Sequence, residues 1–422
     1  MSEKNVRRRH TRRAPAPYED PMTETDISKA FAEHVPPLLN RGERVLLIIP
    51  DTTRTAPIAM LLGQLLPVLQ DSGVSVRILV ALGTHPPLSD EALRGLTGLD
   101  PQGDIPVLNH AWDDPGQLVE LGELSAAEVE AASDALMAQR VGLRLNRELT
   151  QADRILFLHP VFPHELVGFS GGAKYLFPGV SGPEMIEIVH WLGALRGSNQ
   201  SIGRIDTPSR RVLIAAAAKL PFPMHSLSFV YHHGEITALE IGELTAAWER
   251  AARHAQQSHI TYKPRSFQRV LSCCPAMYPD LWTGGKCVYK VAPVVADGGE
   301  LIVYAPHVRC FSEVHQAVIE QLGYHVRDYF LAHMDRYAHL PKAVMAYAVI
   351  VKGDGTYTNG VETPRIRVSF ASQIPRETCE AANIGYVDPA TITPDDWRDR
   401  EDEGVLFVER AGEMLYRLEG EG

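Results

Sequence analysis

Apolar positions in this chain fall into two patterns: short, nearly unbroken runs, and longer segments repeating every 3.6 residues. That alternation predicts parallel strands covered on both faces by helices. Arg44 to Pro50 (RVLLIIP) reads as the first strand and the segment from Pro57 (IAMLLGQLLPVLQ) as a helix. Val76 to Leu82 (VRILVAL) reads as the next strand, completing a right-handed βαβ unit. Arg154 to Leu158 (RILFL) predicts a third strand, and the apolar runs Val212 to Ala217 and Leu227 to Tyr231, then a helix from Thr245 to Gln257, complete a first domain over 31–257. The polar stretch Ser258 to Ser266, with Pro264, is the expected linker. Arg269 to Cys273, Glu300 to Tyr304 and Ala343 to Val351 restart the strand-helix alternation in a second domain over 267–422, and Gly404 to Leu418 predicts a terminal hairpin or paired strand. The expected class is α/β, two domains with Rossmann-like parallel sheets.

Polar residues collect where the strands stop. The first strand runs into Asp51-Thr52-Thr53-Arg54 and the second into Gly83-Thr84-His85-Pro86-Pro87, after which Ser89, Asp90 and Glu91 supply a helix cap and first-turn acids. The third runs into His159-Pro160-Val161-Phe162-Pro163-His164 and then Gly168-Phe169-Ser170-Gly171-Gly172-Ala173-Lys174. Ligands of open α/β sheets bind beyond the carboxyl ends of the strands.

Composition narrows the classes. A length of 422 residues exceeds one hydrophobic core, and 45% apolar with 22% charged residues describes a folded, enzyme-like chain. The net charge of -11, without acidic blocks, argues against a groove for nucleic acid. The basic run Arg7 to Arg13, before Ala14-Pro15-Ala16-Pro17, reads as a solvated, disordered tail over 1–30 and not as a signal peptide. No stretch approaches the roughly 20 apolar residues of a membrane span. Neither nucleic acid nor membrane is an expected partner. Cys273, Cys274, Cys287, Cys310 and Cys379 are odd in number and lack CxxC spacing, so no disulfide framework or structural zinc is expected, and a reducing cytoplasm fits.

The glycine segment admits several chemistries. Gly168-Phe-Ser170-Gly-Gly172 matches the G-x-S-x-G elbow of serine hydrolases, but Pro160 and Pro163 interrupt the strand that such an elbow needs. A Walker A loop would need Ser or Thr after Lys174, where Tyr175 follows instead, and no dinucleotide G-x-G-x-x-G is present. There remain a glycine turn whose backbone N–H groups hold a phosphate beside Lys174, or a tight turn with a solvated lysine. His85, His159, His164 and His190 all lie near such turns. His190 falls in a helix over Glu184 to Leu195 opened by Pro183, where an imidazole could ligate a metal.

Taken together, Asp51-x-Thr53-Arg54, Gly83-Thr84-His85, Pro163-His164, the loop from Gly168 to Lys174 with Pro178-Gly179 after it, and His190 sixteen residues beyond the lysine resemble the nickel-pincer-nucleotide lactate racemase family. The likeness runs from about residue 40 to the end and is most specific over His164 to Gly179. It implies an active site in the cleft between two α/β domains and a nicotinate-derived mononucleotide holding nickel through two sulfurs and a ring carbon. Lys174 would tether that cofactor, Asp51, Ser170, Gly171 and Gly172 would lie against it, and His190 would be the remaining nickel ligand. Proteins that mature the cofactor are implied as partners.

By the same resemblance, His85 and His164 are the two general bases for opposite enantiomers of a small 2-hydroxy acid. Hydride removal from C2 suits this task, because a carbanion beside a carboxylate is poorly stabilised. Arg54 would clamp the substrate carboxylate with two parallel hydrogen bonds, and Asp51 would position Arg54 or the cofactor ribose. Lys286, in Tyr278-Pro279-Asp280-Leu281-Trp282-Thr283-Gly284-Gly285-Lys286, would stabilise negative charge on the reacting oxygen. Trp282 and Thr283 replace the family's tyrosine and glutamine, so a substrate larger than lactate is expected. Tyr289 and Lys290 are read as helix surface, while His159, His110 and His307 receive no role. The function that follows is a 2-hydroxy-acid racemase or epimerase; a non-turnover carrier of a nucleotide or nickel cofactor and a serine hydrolase using Ser170 are the alternatives.

Overall fold

Strands β1 (Arg44–Ile49), β2 (Ser75–Val80), β3 (Val107–Asn109), β4 (Arg154–Pro160), β5 (Met224–His232) and β6 (Glu235–Glu243) form one sheet in the order β6-β5-β4-β1-β2-β3. This is seen in a computed structural model that describes residues 21–52, 56–232 and 234–420. Neighbours run parallel except β5 and β6. The chain moves outward from β1 to β3 and returns on the other side of β1 with β4, so the strand order reverses between β1 and β4. Loops leaving such a pair diverge to opposite faces and open a crevice at their carboxyl ends.

Two-sided burial explains the unbroken apolar runs. Leu46, Ile48, Ile155 and Phe157 face one core, whereas Val45, Leu47, Ile49, Leu156 and Leu158 face another on the opposite side of the sheet. The alternation is the period of two expected along a strand.

A second sheet contains β7 (Phe267–Cys273), β8 (Val295–Ala305), β9 (Arg367–Ser372), β10 (Gly385–Tyr386) and β11 (Val405–Val408), all parallel, in the order β10-β9-β8-β7-β11. Its order reverses between β7 and β11, giving a second crevice beyond Cys273. The fold is thus α/β with two Rossmann-like sheets. One helix, Pro183–Arg196, belongs to both cores: Met185, Ile188, Val189 and Leu192 join the first, and Trp191 and Ala194 the second. A helix buried on several sides has no single apolar stripe, which matches the mixed pattern EMIEIVHWLGAL.

Several expected boundaries move. The tail expected over 1–30 ends before Thr23, because Glu24–His34 is a helix with a capping box between Thr23 and Asp26 and with Ile27 and Phe31 buried. The basic run itself lies outside the described residues. The linker expected over 258–266 is ordered structure: Ser258 and His259 end the Leu244–His259 helix, and Ile260–Lys263 pairs in parallel with Leu415–Leu418. The terminal segment is therefore no hairpin. Val405–Val408 joins the second sheet, while Arg417 is buried and donates to the Ile202 carbonyl at 2.7 Å in the first unit. The apolar run at Val212, and Ala343 to Val351 in the second strand-helix alternation, lie in the helices Pro208–Ala217 and Lys342–Lys352. Short apolar runs do not separate a buried helix from a buried strand, and alanine favours the helix. Among the described residues no helix is long and apolar enough to cross a membrane.

Candidate active site

At the reversal between β1 and β4, three polar turns meet. Asp51, buried just beyond β1, brings Oδ2 to 2.5 Å from Nδ1 of His85, whose side chain stays 53% exposed. A carboxylate on Nδ1 fixes that nitrogen as the donor and leaves Nε2 as the basic nitrogen of the neutral ring. The turn before His85 is tied down by Gly83, whose N–H donates to the Gly179 carbonyl at 3.0 Å, and the Gly179 N–H donates to the Lys174 carbonyl at 3.1 Å. His85 is thereby brought to the segment that carries Lys174.

His164 sits on a two-residue strand, Pro163–His164, paired with Gly168–Phe169. Its Nδ1 accepts the Leu166 N–H at 3.3 Å and lies 3.4 Å from Glu165 Oε2. With Nδ1 accepting, a neutral ring carries its proton on Nε2, the opposite tautomer to His85. His190, partly buried on the Pro183–Arg196 helix, donates from Nδ1 to the Ile186 carbonyl at 2.6 Å, which leaves Nε2 as a lone-pair nitrogen. Burial lowers its pKa first, and the Lys174 ammonium lowers it further against the opposing Glu165 carboxylate. Lys174, Glu165 and His190 therefore share one electrostatic neighbourhood, with His190 held neutral.

The glycine loop proves to be a packed scaffold. Gly168 has φ +80°, and a Cβ there would stand 1.9 Å from the Arg204 carbonyl oxygen. At Gly171 (φ +83°) it would meet His159 at 2.7 Å, and at Gly172 (φ +59°) Trp248 at 2.8 Å. Glycine is the residue that satisfies both the left-handed backbone and the missing space. The polar groups of the loop turn inward. The Ser170 N–H donates to the Phe162 carbonyl at 2.8 Å, and the Gly172 N–H donates to His159 Nε2 at 3.0 Å. The expectation that these N–H groups receive a phosphate is thus corrected. Ser170 is corrected too: buried to 3% exposure, its hydroxyl donates to the Pro160 carbonyl and accepts the Phe162 N–H, both at 3.0 Å. With its hydroxyl committed on both sides it is not poised as a hydrolase nucleophile; it staples the loop.

Two residues that sequence reasoning missed hold this scaffold. Arg210, fully buried on the Pro208–Ala217 helix, donates to the carbonyls of Gly171 (2.9 Å) and Phe169. Desolvation lowers its pKa to about 9. Trp248 donates from Nε1 to the Ser170 carbonyl at 2.7 Å. His159, to which no role was given, stacks on Tyr175 with ring centroids 4.8 Å apart and accepts from Ser226 at 2.8 Å, and burial drives its pKa down to about 3. The one available signal was that His159 directly follows the apolar run Arg154 to Leu158; the structure places it inside the fully buried β4. His110 is likewise structural, bonded to Asn146 and the Ser181 carbonyl at 3.1 Å each, and His307 bonds the Tyr278 carbonyl at 3.0 Å.

In the second unit, the segment after β7 forms the short helices Leu281–Gly284 and Lys286–Tyr289 at the β7–β11 reversal. Lys286 Nζ stands 4.9 Å from the centre of the Tyr278 ring, and Gly412, beyond β11, approaches both residues. Trp282 packs against Tyr347 (4.1 Å between centroids) and His315 (4.6 Å). Thr283, expected to contact substrate, spends its hydroxyl on Asp280 Oδ1 at 2.7 Å, and its N–H donates to the same carboxylate oxygen at 2.9 Å. Asp280 is thereby the N-cap of the helix that carries Thr283. Tyr289 and Lys290, read as surface, are both buried; Tyr289 enters the core of the first unit, so the helix bearing Lys286 abuts that unit. Arg54 and Thr53 lie outside the described residues.

The donor set can be tested against a bound metal group. Among the described residues no three His, Cys, Asp or Glu side chains converge into a metal cage. A metal on His190 would need its other ligands from a bound organic group, and a lone-pair Nε2 beside the Lys174 ammonium fits one carrying anionic or sulfur donors. The residues present are compatible with such a group.

Two mainly parallel sheets, each followed by polar residues at its reversal, and a histidine helix shared by both cores describe an α/β protein with its candidate site beyond the strand ends. The chain is similar to lactate racemases in sequence over its N-terminal part. Residues 14–203 match the family model of the lactate racemase N-terminal domain. Lactate racemase of Lactiplantibacillus plantarum is 29% identical over 192 residues, covering 44% of this chain and 42% of that protein. Lactate racemase of Thermoanaerobacterium thermosaccharolyticum is 24% identical over 211 residues, covering 48% and 46%. The match thus spans less than half the length of these curated relatives. A crystal structure of a Thermotoga maritima protein superposes with TM-score 0.83 at 30% identity, over 95% of this chain and 100% of that one. The lactate racemase apoprotein from Thermoanaerobacterium thermosaccharolyticum superposes with TM-score 0.73 at 16% identity, over 94% and 93%.

Proposed function

We propose that this chain is a racemase or 2-epimerase of 2-hydroxy acids working with a nickel-pincer nucleotide. The observation that carries the reading is the opposed pair of imidazoles: His85 oriented by Asp51 with a basic Nε2, and His164 oriented through Nδ1 with a protonated Nε2. Inverting a carbinol centre through a planar 2-keto acid needs one group to take the hydroxyl proton and another to return it. Two imidazoles in opposite tautomers supply both at neutral pH.

His190 through Nε2 and Lys174 through its amine are the residues that would hold the cofactor. When bound, that group would supply a reversible hydride acceptor for C2 of the substrate. Arg54 clamps the carboxylate, so the substrate is fixed while its central carbon changes geometry. His85 removes the hydroxyl proton from one enantiomer and His164 from the other. Lys286 stabilises the negative charge that grows on the oxygen. Trp282, packed on Tyr347, contributes an aromatic wall that suits an acid bulkier than lactate.

The test is a chirality assay over a panel of C2-deuterated hydroxy acids on cofactor-loaded protein, with nickel measured in parallel. Inversion with most of the deuterium retained at C2 supports the reading. Inversion with the label washed into water, or activity in nickel-free protein, overturns it.

A further inference from the structure

Both candidate bases have a carboxylate at Nδ1, but the two pairs are built differently. Asp51 Oδ2 stands 2.5 Å from His85 Nδ1, in full hydrogen-bond contact. Glu165 Oε2 stands 3.4 Å from His164 Nδ1, while the Leu166 N–H donates to that same nitrogen at 3.3 Å. Glu165 and Leu166 both belong to the turn that joins Pro163–His164 to Gly168–Phe169. Leu166 is fixed there: it is buried, and a Cβ on Gly193 of the histidine helix would come within 2.6 Å of it. Glu165 ends in a rotatable carboxylate, its side chain 23% exposed beside a His164 side chain that is 11% exposed. The field of that carboxylate at His190 opposes the field of the Lys174 ammonium, so Glu165 belongs to the polar cluster of the site.

The Leu166 bond alone gives His164 one half of its work. With Nδ1 accepting, the ring can offer Nε2–H but has no lone pair on Nε2 to receive the hydroxyl proton of the enantiomer assigned to it. Base duty requires the ring proton on Nδ1, and Nδ1–H requires an acceptor, which the Leu166 N–H is not. The Glu165 carboxylate already lies at that nitrogen. Resting on the racemase reading above, we propose that Glu165 is the positioning residue of His164: it accepts Nδ1–H and leaves Nε2 with the lone pair that takes the substrate's hydroxyl proton. In that transfer the O–H bond breaks, its electron pair stays on oxygen, and Nε2–H forms on an imidazolium whose charge faces Glu165. Returning the proton to the keto oxygen restores the neutral ring, and Nδ1 keeps its own proton throughout. Asp51 already stands at hydrogen-bond distance from His85, so the two bases differ in how firmly the working tautomer is held.

Two measurements test the pair, one of them without turnover. In the purified full chain with isotope-labelled histidines, nuclear magnetic resonance reads the protonation of each ring nitrogen, and the His164 signals are assigned by their loss in His164→Gln. On acidification, His164 is expected to become doubly protonated about one pH unit lower in Glu165→Gln than in wild type, because the amide keeps the size but not the charge. In cofactor-loaded protein, Glu165→Gln is expected to slow single-turnover oxidation of the enantiomer that His85→Asn still accepts, at least about tenfold more than that of its mirror image. Glu165→Asp, which keeps the charge one methylene further back, is expected to fall between the two in both measurements, and it carries the test should Glu165→Gln fail to fold. An unchanged His164 titration in the Glu165 variant, or equal slowing of both enantiomers, overturns the inference. Loaded wild-type protein that inverts no hydroxy acid, while its spectra show the Glu165 effect, overturns the racemase reading and with it the catalytic use of the pair.

Discussion

The guanidinium carbon of Arg210 lies 4.0 Å from the centre of the Trp248 ring, and together these two residues hold the carbonyls of three successive loop positions, Phe169, Ser170 and Gly171. A cation this deep in the protein is tolerated because carbonyl oxygens and the ring face replace its water. Arg210→Met removes two donors from buried carbonyls and is expected to cost about 2–4 kcal/mol. Urea denaturation would measure it; a loss within error of zero would mean the loop stands without this clamp.

Crowding at Gly168 separates steric from conformational cost. Gly168→Ala places a methyl against the Arg204 carbonyl at 1.9 Å, whereas Gly42→Ala, at a similar φ of +86°, meets nothing within 4 Å. The Gly42 variant is expected to lose about 1 kcal/mol from backbone strain, and the Gly168 variant several times more. Thermal unfolding of the two side by side reads the difference.

Histidine 159 makes the fold acid-sensitive. Its folded pKa of about 3 lies below the 6.5 of an unperturbed imidazole, so the unfolded chain binds the extra proton between those values. The stability it contributes is complete above pH 6.5 and declines as pH falls toward 3, by up to roughly 1.4 kcal/mol per pH unit. His159→Asn should lower stability at pH 7 yet flatten its decline toward pH 4, seen as a smaller drop in denaturation midpoint. An unchanged slope would place the acid sensitivity elsewhere.

Roles of the paired imidazoles can be separated by single-turnover experiments. On the proposed mechanism, His85→Asn and His164→Asn each abolish steady-state inversion, while each still oxidises one enantiomer to bound 2-keto acid, and the two variants accept opposite enantiomers. Asp51→Asn should lower kcat by roughly 10–100-fold with little change in KM, because the His85 ring loses its orienting partner. Identical enantiomer preference in both histidine variants would contradict a division of labour.

Nickel retention tests His190 independently of turnover. On the proposed function, His190→Ala is expected to lose bound nickel while keeping its fold, because the Nε2 lone pair is the donor the helix would offer to the metal. Metal analysis after gel filtration, with circular dichroism as the control, gives the answer.

The sequence by itself determined that β1, β2 and β4 are strands of a covered parallel sheet, since their apolar runs are nearly unbroken, and that Asp51, His85 and the glycine loop follow strand ends. It also marked the helix of His190 through Pro183 and the cap at Ser89. Those signals are local: periodicity, caps and glycine positions act within a few residues. What only the tertiary structure decided depends on partners distant in the chain. Ile260–Lys263 is a strand because Leu415–Leu418 pairs with it, and Ser170 is a staple because Pro160 and Phe162 curl back over it. Arg210 became part of the loop because a helix far along the chain packs there. Hydrogen bonds and close packing choose among locally plausible roles, and they exist only once the chain has closed on itself.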